Sequence, residues 1–310
     1  MVERAQVAGR PSELRTKPHV VAVIVPPPTP VSLAEAQDAC LRLAGTHYEN
    51  FTVISWLVPR KLRPHLAAIY SFCRTVDDLG DEAPGDRVAL LERFEQMLRN
   101  AIAGRATTHP VLIALRETVS RYHLPEELLV DLVTANRMDQ VNSRYETYEE
   151  LLRYCRFSAV PVGRLFLLLY GYREEGLHQL SDTTCMALQL TNFWQDIRRD
   201  RAMGRIYLPQ EDMTRFGVSE HDLDQPTATD AVRRLVAFEV ERTEVLFQEG
   251  WPLVQNVRGH LRVDLALFSR GGQTILRKIA DQQFDTLAAR PTVGRMEKLG
   301  LFLRSLVART

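Results

Sequence analysis

Two pairs of aspartates have the spacing needed to hold a divalent metal ion from one face of a helix. Asp77 and Asp81 are four residues apart, and Asp196 and Asp200 repeat that spacing far downstream. Four helical residues turn about 400°, so the carboxylates of each pair share a face, about 6 Å apart along the axis. Like charges at that distance repel and destabilise the helix mildly. Because this destabilisation occurs twice in the chain, we infer that the aspartate pairs have a function. Carboxylates acting together with substrate phosphates are typical ligands of Mg²⁺.

The first pair ends a longer polar stripe that begins at Tyr70 and Arg74. With Asp77 and Asp81 these residues occupy helical positions i, i+4, i+7 and i+11, which lie along one helix face. Such a stripe makes a poor apolar contact and a good wall for a polar pocket. Taken alone, a solvated helix face with an Arg–Asp pair explains it equally well.

A second stripe has the same shape and comprises Gln189, Asn192, Asp196 and Asp200. An asparagine amide can offer oxygen to a metal ion or its N–H groups to a phosphate. Several arginines follow, and guanidinium groups bind phosphate with two parallel hydrogen bonds: Arg198, Arg199, Arg201 and Arg205. For any one arginine, neutralising the aspartates on a surface helix is the simpler interpretation. Two matching stripes, which a helical domain can bring face to face, favour a shared metal–diphosphate site.

The segments around these stripes have helical periodicity nearly throughout, and alternating strand-like segments are scarce. Ser32–Glu35 is a capping box that starts a helix. Apolar residues recur at helical spacing over Arg60–Asp81, and Pro110 and Pro125 each begin a further helix. Ser181 is predicted to cap the helix that carries the second aspartate pair. The sequence therefore predicts an all-α protein.

Composition narrows the class of protein further. The chain has 310 residues, of which 45% are hydrophobic and 25% charged, as in a globular domain. A formal net charge of zero gives no reason to expect a nucleic-acid partner. Four scattered cysteines without a CxxC pair are typical of reduced thiols in a cytosolic protein. We interpret residues 1–30 as a flexible N-terminal lead-in and residues 31–310 as one all-α domain.

Several activities lack their usual sequence signals. The chain has neither a P-loop nor a GxGxxG motif, so no nicotinamide cofactor is expected. No apolar run reaches the ~18 residues of a membrane-spanning helix. We therefore expect a cytoplasmic protein without an integral anchor, and a peripheral contact at the inner face of the membrane stays open.

A third group combines Tyr154 with small residues at the start of an apolar helix. Ser158, Val162 and Gly163 precede a bulky apolar run, and small side chains there could leave room for a long apolar ligand. Close packing against another helix is the alternative interpretation.

These motifs resemble those of the head-to-head isoprenyl diphosphate synthases, the squalene and phytoene synthases, from about His47 onward. The family's aspartate-rich DxxxD motif is matched within YSFCRTVDDLGDE, and its second motif is matched by the second stripe followed by GRIYLP at Gly204–Pro209. The tyrosine of the family's YC(x)₂VAGTVG segment falls on Tyr154 and its last glycine on Gly163.

Within the family, the chain looks most like the bacterial hydroxysqualene synthase branch of squalene and hopanoid biosynthesis. The resemblance rests on ENFTVISWLVPRKLRPHLAAIYSFCR at Glu49–Arg74 and on SAVPVGRL at Ser158–Leu165. Tyr48–Phe51 replaces the phosphate-gripping Ser-Lys/Arg-Ser/Thr-Phe stretch of most condensing members, and SAVPVG replaces VAGTVG. Both departures suit an enzyme that takes one already condensed substrate.

The resemblance implies an isoprenoid synthase-type helical bundle around a central cavity, with Mg²⁺ as cofactor and presqualene diphosphate or a related prenyl diphosphate as substrate. The implied metal ligands are Asp77, Asp81, Asn192, Asp196 and Asp200. The implied catalytic residues are Tyr70, Arg74, Tyr154 and Asn192. The implied substrate-binding residues are His47, Arg74, Ser158, Val162, Gly163, Gln189, Asn192 and Arg199. Neighbouring enzymes of the same pathway are implied as further partners.

Three alternatives remain at this stage. The first is the condensation of two prenyl diphosphates to presqualene diphosphate, squalene or phytoene. The second is a non-catalytic all-α relative that assists assembly of a complex, although such a protein could lose its aspartates without penalty. The third is a helical interaction module whose acidic stripes are simply solvated.

Overall fold

Helices joined by short loops make up the protein, as a computed structural model shows. The structure describes Val20, residues 22–23, 27–46 and 58–294, and the positions 296–297, 300–302 and 305. Within those ranges the chain forms no strand. The predicted all-α fold class is confirmed. His47 and the Tyr48–Phe51 segment lie outside the described residues.

The helices follow one another in the order α1 (Leu33–Thr46), α2 (Arg63–Asp81), α3 (Arg87–Ile102), α4 (Pro110–Tyr122), α5 (Glu126–Val141), α6 (Tyr148–Ser158), α7 (Val160–Leu169), α8 (Glu175–Ala202), α9 (Gln210–Phe216), α10 (Asp230–Gly250), α11 (Pro252–Asn256) and α12 (Gly259–Asp281). A 3₁₀ turn at Glu220–Asp224 lies between α9 and α10.

Local chemistry sets most helix ends where the sequence places them. Glu35 accepts hydrogen bonds from Ser32 N and Oγ at 2.8 and 2.7 Å and donates its own N–H to Ser32 Oγ, which confirms the capping box before α1. Helix α4 spans Pro110–Tyr122 as predicted. The predicted cap at Ser181 is wrong, because α8 begins earlier and Ser181 is buried in its interior. His178 is buried on the same face, so the helical periodicity extends upstream of Ser181.

Two apolar cores hold these helices together. The first lies among α1–α4 and α7, where the rings of Phe72 and Phe94 stack with centroids 5.6 Å apart. The second lies around α6, α8 and α10. Trp194 on α8 is fully buried there and donates from Nε1 to Thr243 Oγ1 of α10 at 2.9 Å. A buried indole that keeps its hydrogen bond fixes the long helix α8 against α10.

The two stripe-bearing helices are positioned by different neighbours. Helix α2 packs mainly against α1, α4 and α5, whereas α8 packs mainly against α10, α7 and α12. In the described part of the chain α2 and α8 make no extended direct contact, and α7 touches both. The polar faces of α2 and α8 are therefore not buried against each other.

The chain before α1 carries some packed residues. Val20, Ala22 and Val23 are helical and buried. The division at residue 30 stays a prediction. Among the described residues, none of the helices combines the length and apolar content of a membrane-spanning segment.

Candidate active site

The last turns of α2 carry the first aspartate pair toward two partners from distant segments. Asp77 Oδ1 accepts a hydrogen bond from Asn136 Nδ2 of α5 at 3.3 Å, and Asp81 Oδ1 forms an ion pair with Arg205 at 2.8 Å. Burial raises the pKa of Asp77 to about 6, and the neighbouring charge of Asp81 adds to the rise. Asp77 is exposed to solvent even so. Both carboxylates are thus open to solvent, and that of Asp77 is partly desolvated as well.

Arg74 does not neutralise the aspartates of its own stripe. Its Nη2 pairs with the buried Asp78 at 2.6 Å and with Glu82 at 3.5 Å. Its Nε is buried and makes no hydrogen bond. Because a buried donor without a partner is costly, this N–H is suited to an acceptor that arrives with the substrate. An Arg–Asp pair is thus present on this helix, but it joins Arg74 to the buried Asp78 rather than to Asp77 or Asp81.

The second aspartate pair lies at a break in the helix that carries it. Asp196 has φ −108° and ψ 15°, outside the helical range, inside the otherwise continuous α8. Arg290 binds the Asp196 carboxylate with two hydrogen bonds of 2.5 and 2.9 Å. Burial raises the pKa of Asp200 to about 7, with the charge of Asp196 as the next cause. Two carboxylates in this setting favour the arrival of a cation.

Arg205 connects the two walls of the site. Its side chain is mostly buried, bonds Asp81 at 2.8 Å, and its charge lowers the pKa of Asp200 against the effect of burial. Arg205 and Asp200 also line one small cavity. Arg205 therefore links Asp81 of the first motif to Asp200 of the second, and a shared metal–diphosphate site stays a prediction.

The donor set fits a divalent metal that binds together with a substrate. No group of three or more His, Cys, Asp or Glu side chains within the described ranges is arranged to hold a metal ion by itself. Each wall offers two carboxylates, and Mg²⁺ commonly takes one or two protein carboxylates with water and substrate phosphates completing its shell. Burial is the main cause of the raised pKa values of Asp77 and Asp200, and the charge of a neighbouring aspartate adds to each.

Comparison with known proteins decides the family. The family model described as squalene/phytoene synthase matches residues 44–297. The chain belongs to the squalene/phytoene synthase family. The chain is 33% identical over 253 residues to the hydroxysqualene synthase of Rhodopseudomonas palustris, covering 81% of this chain and 85% of the relative. The family identifies it as an enzyme that uses a prenyl diphosphate.

Solved structures of the squalene/phytoene synthase family agree with the fold. The crystal structure of the squalene synthase HpnC of Alicyclobacillus acidocaldarius is 48% identical, with a TM-score of 0.78 over 83% of this chain and 97% of that one. A dehydrosqualene synthase in complex with ligand is 26% identical, with a TM-score of 0.82 over 89% of this chain and 96% of that one. The helical arrangement of this squalene/phytoene synthase is thus that of its relatives.

The other sequence-predicted residues lie in varied settings. Tyr70 is half-buried, which raises its pKa, while Gln189 is half-buried and Asn192 and Arg199 are exposed on α8. Tyr154 is buried and hydrogen-bonded to Asp139, the Ser158 hydroxyl is buried without a hydrogen bond, and Val162 is 42% exposed.

Gly163 on α7 packs closely against α8. A Cβ at this position would come within 2.5 Å of both Ser181 Oγ and Cys185 Sγ. The missing side chain makes room for another helix, which is the close-packing alternative that the sequence left open. A substrate contact by Gly163 stays a prediction.

Four of the described residues at the site escaped the sequence argument: Asn136, Asp139, Tyr207 and Arg290. Tyr207 lies inside the GRIYLP segment that follows the second motif, so its position carried a signal. Asp139 follows Asn136 by three residues on α5, and that shared helix face could have indicated a third polar wall. Arg290 bonds Asp196 across 94 residues of chain, and no local sequence pattern predicts that contact.

Proposed function

We propose that the protein is a hydroxysqualene synthase. In this reaction presqualene diphosphate loses its diphosphate, the resulting cyclopropylcarbinyl cation rearranges to an allylic cation, and water captures that cation to give hydroxysqualene. No hydride donor takes part. The observation that carries the proposal is the Arg205 link between Asp81 of the first aspartate motif and Asp200 of the second, in a chain whose relatives include a hydroxysqualene synthase at 33% identity.

Residues on both α2 and α8 would bind the metal ions that hold the diphosphate. Asp77 and Asp81 on α2, with Asn192, Asp196 and Asp200 on α8, supply the hard oxygen ligands that Mg²⁺ prefers. Bound Mg²⁺ supplies positive charge that stabilises the departing diphosphate. Arg205 and Arg290 already bond Asp81 and Asp196, so they remain next to the diphosphate as further positive charges.

The α2 stripe orients the same group. Arg74 keeps its guanidinium fixed through Asp78 and Glu82 while its Nε stays available to an acceptor. Tyr70 lies one helical turn earlier on the same stripe. Together they hold the diphosphate so that its bond to carbon breaks in a fixed direction.

The prenyl arms need apolar surroundings that keep water out until rearrangement is complete. The exposed Val162 and the buried Ser158 hydroxyl lie in the segment where this chain reads SAVPVG. Tyr154 and Ser158 are the candidates for holding the capturing water.

The direct test is incubation of the purified protein with presqualene diphosphate and Mg²⁺, without NADPH, followed by mass spectrometry of the extracted products. Hydroxysqualene is the expected product. Squalene as sole product, or no turnover, would contradict the assignment.

The metal role is tested separately with Asp77→Asn and Asp196→Asn. Both variants keep side-chain shape but lose a charged ligand, so diphosphate release should become undetectable while the helical circular dichroism is unchanged. Asp131→Asn is the matched control, because Asp131 is a partly buried aspartate on α5 away from both walls. Full activity in either site variant would rule out the metal role.

A second candidate function is condensation of prenyl diphosphates to squalene or its precursor. The specific observation in its favour is the 48% identity to a structure named as a squalene synthase. Farnesyl diphosphate offered as sole substrate separates the two candidates, because only a condensing enzyme consumes it.

A further inference from the structure

The carboxylate of Asp139 on α5 accepts hydrogen bonds from two buried phenols. The Tyr154 hydroxyl donates to Oδ2 at 2.6 Å, and the Tyr207 hydroxyl donates to Oδ1 at 3.2 Å. Since an ionised carboxylate can only accept, the hydrogens of both phenols lie on the Asp139 side. The lone pairs of both phenol oxygens are therefore left for a donor elsewhere.

Ring packing holds these tyrosines independently of the carboxylate. Tyr207 stacks on Phe193 with centroids 3.9 Å apart, and Tyr154 lies 5.8 Å from Tyr207 and 5.5 Å from Tyr145. The Tyr145 hydroxyl is buried in the same cluster and makes no hydrogen bond. The cluster thus accommodates one buried hydroxyl that has no hydrogen-bond partner. The need to give each phenol a partner therefore does not by itself explain why a charged residue, Asp139, is present there.

The Asp139 cluster borders the aspartate walls. Tyr207 and Phe193 line the same small cavity as Asp200 and Arg205. Burial raises the pKa of Asp139 to about 6, and the charge of Arg205 counteracts part of that rise. Burial also raises the pKa of Tyr154 far above its usual value, so its hydroxyl keeps its hydrogen. Tyr154 is therefore a neutral phenol with a fixed hydrogen, and the ring it packs against, Tyr207, lines the cavity beside Asp200.

We propose that Asp139 is a positioning residue that acts through Tyr154. By holding the hydroxyl hydrogen, it makes the Tyr154 oxygen a hydrogen-bond acceptor toward the substrate. This role rests on the proposed function, in which the acceptor holds one O–H of the capturing water and leaves a water lone pair free for carbon. The water oxygen then forms the new C–O bond, one water O–H bond breaks, and the released proton passes to the departed diphosphate.

The test is a double-mutant cycle of Asp139→Asn and Tyr154→Phe, measured as kcat and KM for hydroxysqualene formation, with diphosphate release followed in the same reactions. An asparagine presents one oxygen and one N–H₂ group, so one of the two phenols must turn its hydrogen outward. We expect D139N to lower kcat about tenfold to a hundredfold, as loss of a hydrogen bond to a charged group does, with KM within about twofold. The double variant should be no slower than the slower single variant.

Tyr145→Phe is the matched control. It removes a buried phenol from the same cluster without a bond to Asp139, and its kcat should stay within about twofold of the wild type. D139N replaces a buried charge by a neutral group of the same shape, so folding should be retained. If it does not fold, Asp139→Glu, which displaces the acceptor by one methylene, takes its place in the same cycle.

Three outcomes would overturn the proposal. They are an unchanged kcat in D139N, losses that multiply in the double variant, and a raised Mg²⁺ requirement in D139N, which would make Asp139 a metal ligand. Diphosphate release reports on ionisation of whichever prenyl diphosphate the wild type consumes. A wild type that makes squalene would therefore refute the proposed function while the coupling of Asp139 to Tyr154 is still measured.

Discussion

The raised pKa values of Asp200 and Asp77 predict that binding of Mg²⁺ with diphosphate depends on pH between 6 and 8. A carboxylate must lose its proton before it binds a metal ion. Burial keeps that proton on Asp200 and Asp77 to a higher pH than usual. Affinity should therefore fall as the pH falls, because protons compete with the metal.

The magnitude follows from the two values. With a pKa of about 7, Asp200 is about 90% ionised at pH 8 and about 10% ionised at pH 6, a loss of about tenfold or ~1.4 kcal/mol. With a pKa of about 6, Asp77 is about half protonated at pH 6 and adds about twofold. The expected loss of affinity between pH 8 and pH 6 is about twentyfold.

The measurement is calorimetric titration of the protein with inorganic diphosphate at fixed free Mg²⁺ and pH 6, 7 and 8. Titrations without protein correct for protonation of the diphosphate itself. Arg205→Gln removes a positive charge that lowers the pKa of Asp200, so its midpoint should move to higher pH. Arg201→Gln is the control, since Arg201 is the neighbour of Asp200 in the chain but pairs with Glu220 and Asp224 and does not contribute to the pKa shift of Asp200.

Equal affinity at pH 6 and pH 8 would refute the reasoning, as would the same midpoint shift in R201Q.

Stability of the metal-free protein gives an independent check. The pKa of Asp200 is raised from 3.8 to about 7 on folding. Its protonation therefore stabilises the fold fully below the unfolded value, and that contribution is lost as the pH rises through the folded value. Asp200→Asn should thus raise the free energy of unfolding more at pH 8 than at pH 5.

Two further predictions concern packing and buried charge. Gly163→Ala should lower the free energy of unfolding by about 1–3 kcal/mol and the melting temperature by several degrees, because the new Cβ meets Ser181 and Cys185. Diphosphate affinity at the wild-type level would show that Gly163 has a packing role. A selective loss of diphosphate affinity would instead favour a substrate contact. Arg242→Ala should cost about 3–5 kcal/mol in urea unfolding at pH 9 and less at pH 6, because the fully buried Glu239, with a pKa raised to about 8, carries a charge that needs its cation only at the higher pH. An equal loss at both pH values would contradict this account.

Local spacing predicted much of the fold and the composition of each wall. The capping box at Ser32 and Glu35 and the bounds of α4 depend on contacts within a few residues, and the structure reproduces both. Ser181 shows the limit of such reasoning. A serine before an apolar stretch has the chemistry of a cap, but burial of its helix face against α7 decides that α8 extends past it.

The sequence by itself determined that two helices each present a pair of carboxylates, because residues four apart share a helix face in any helical context. Only the tertiary structure decided how those charges are compensated. Arg205 bonds Asp81 across 124 residues of chain and Arg290 bonds Asp196 across 94, while Arg74 turns to its neighbour Asp78. Such pairings depend on how whole helices pack, and packing depends on apolar surfaces spread over the entire chain. The same reason explains why the hydrogen bonds from Tyr154 and Tyr207 to Asp139 appear only once α5, α6 and the segment after α8 are brought together.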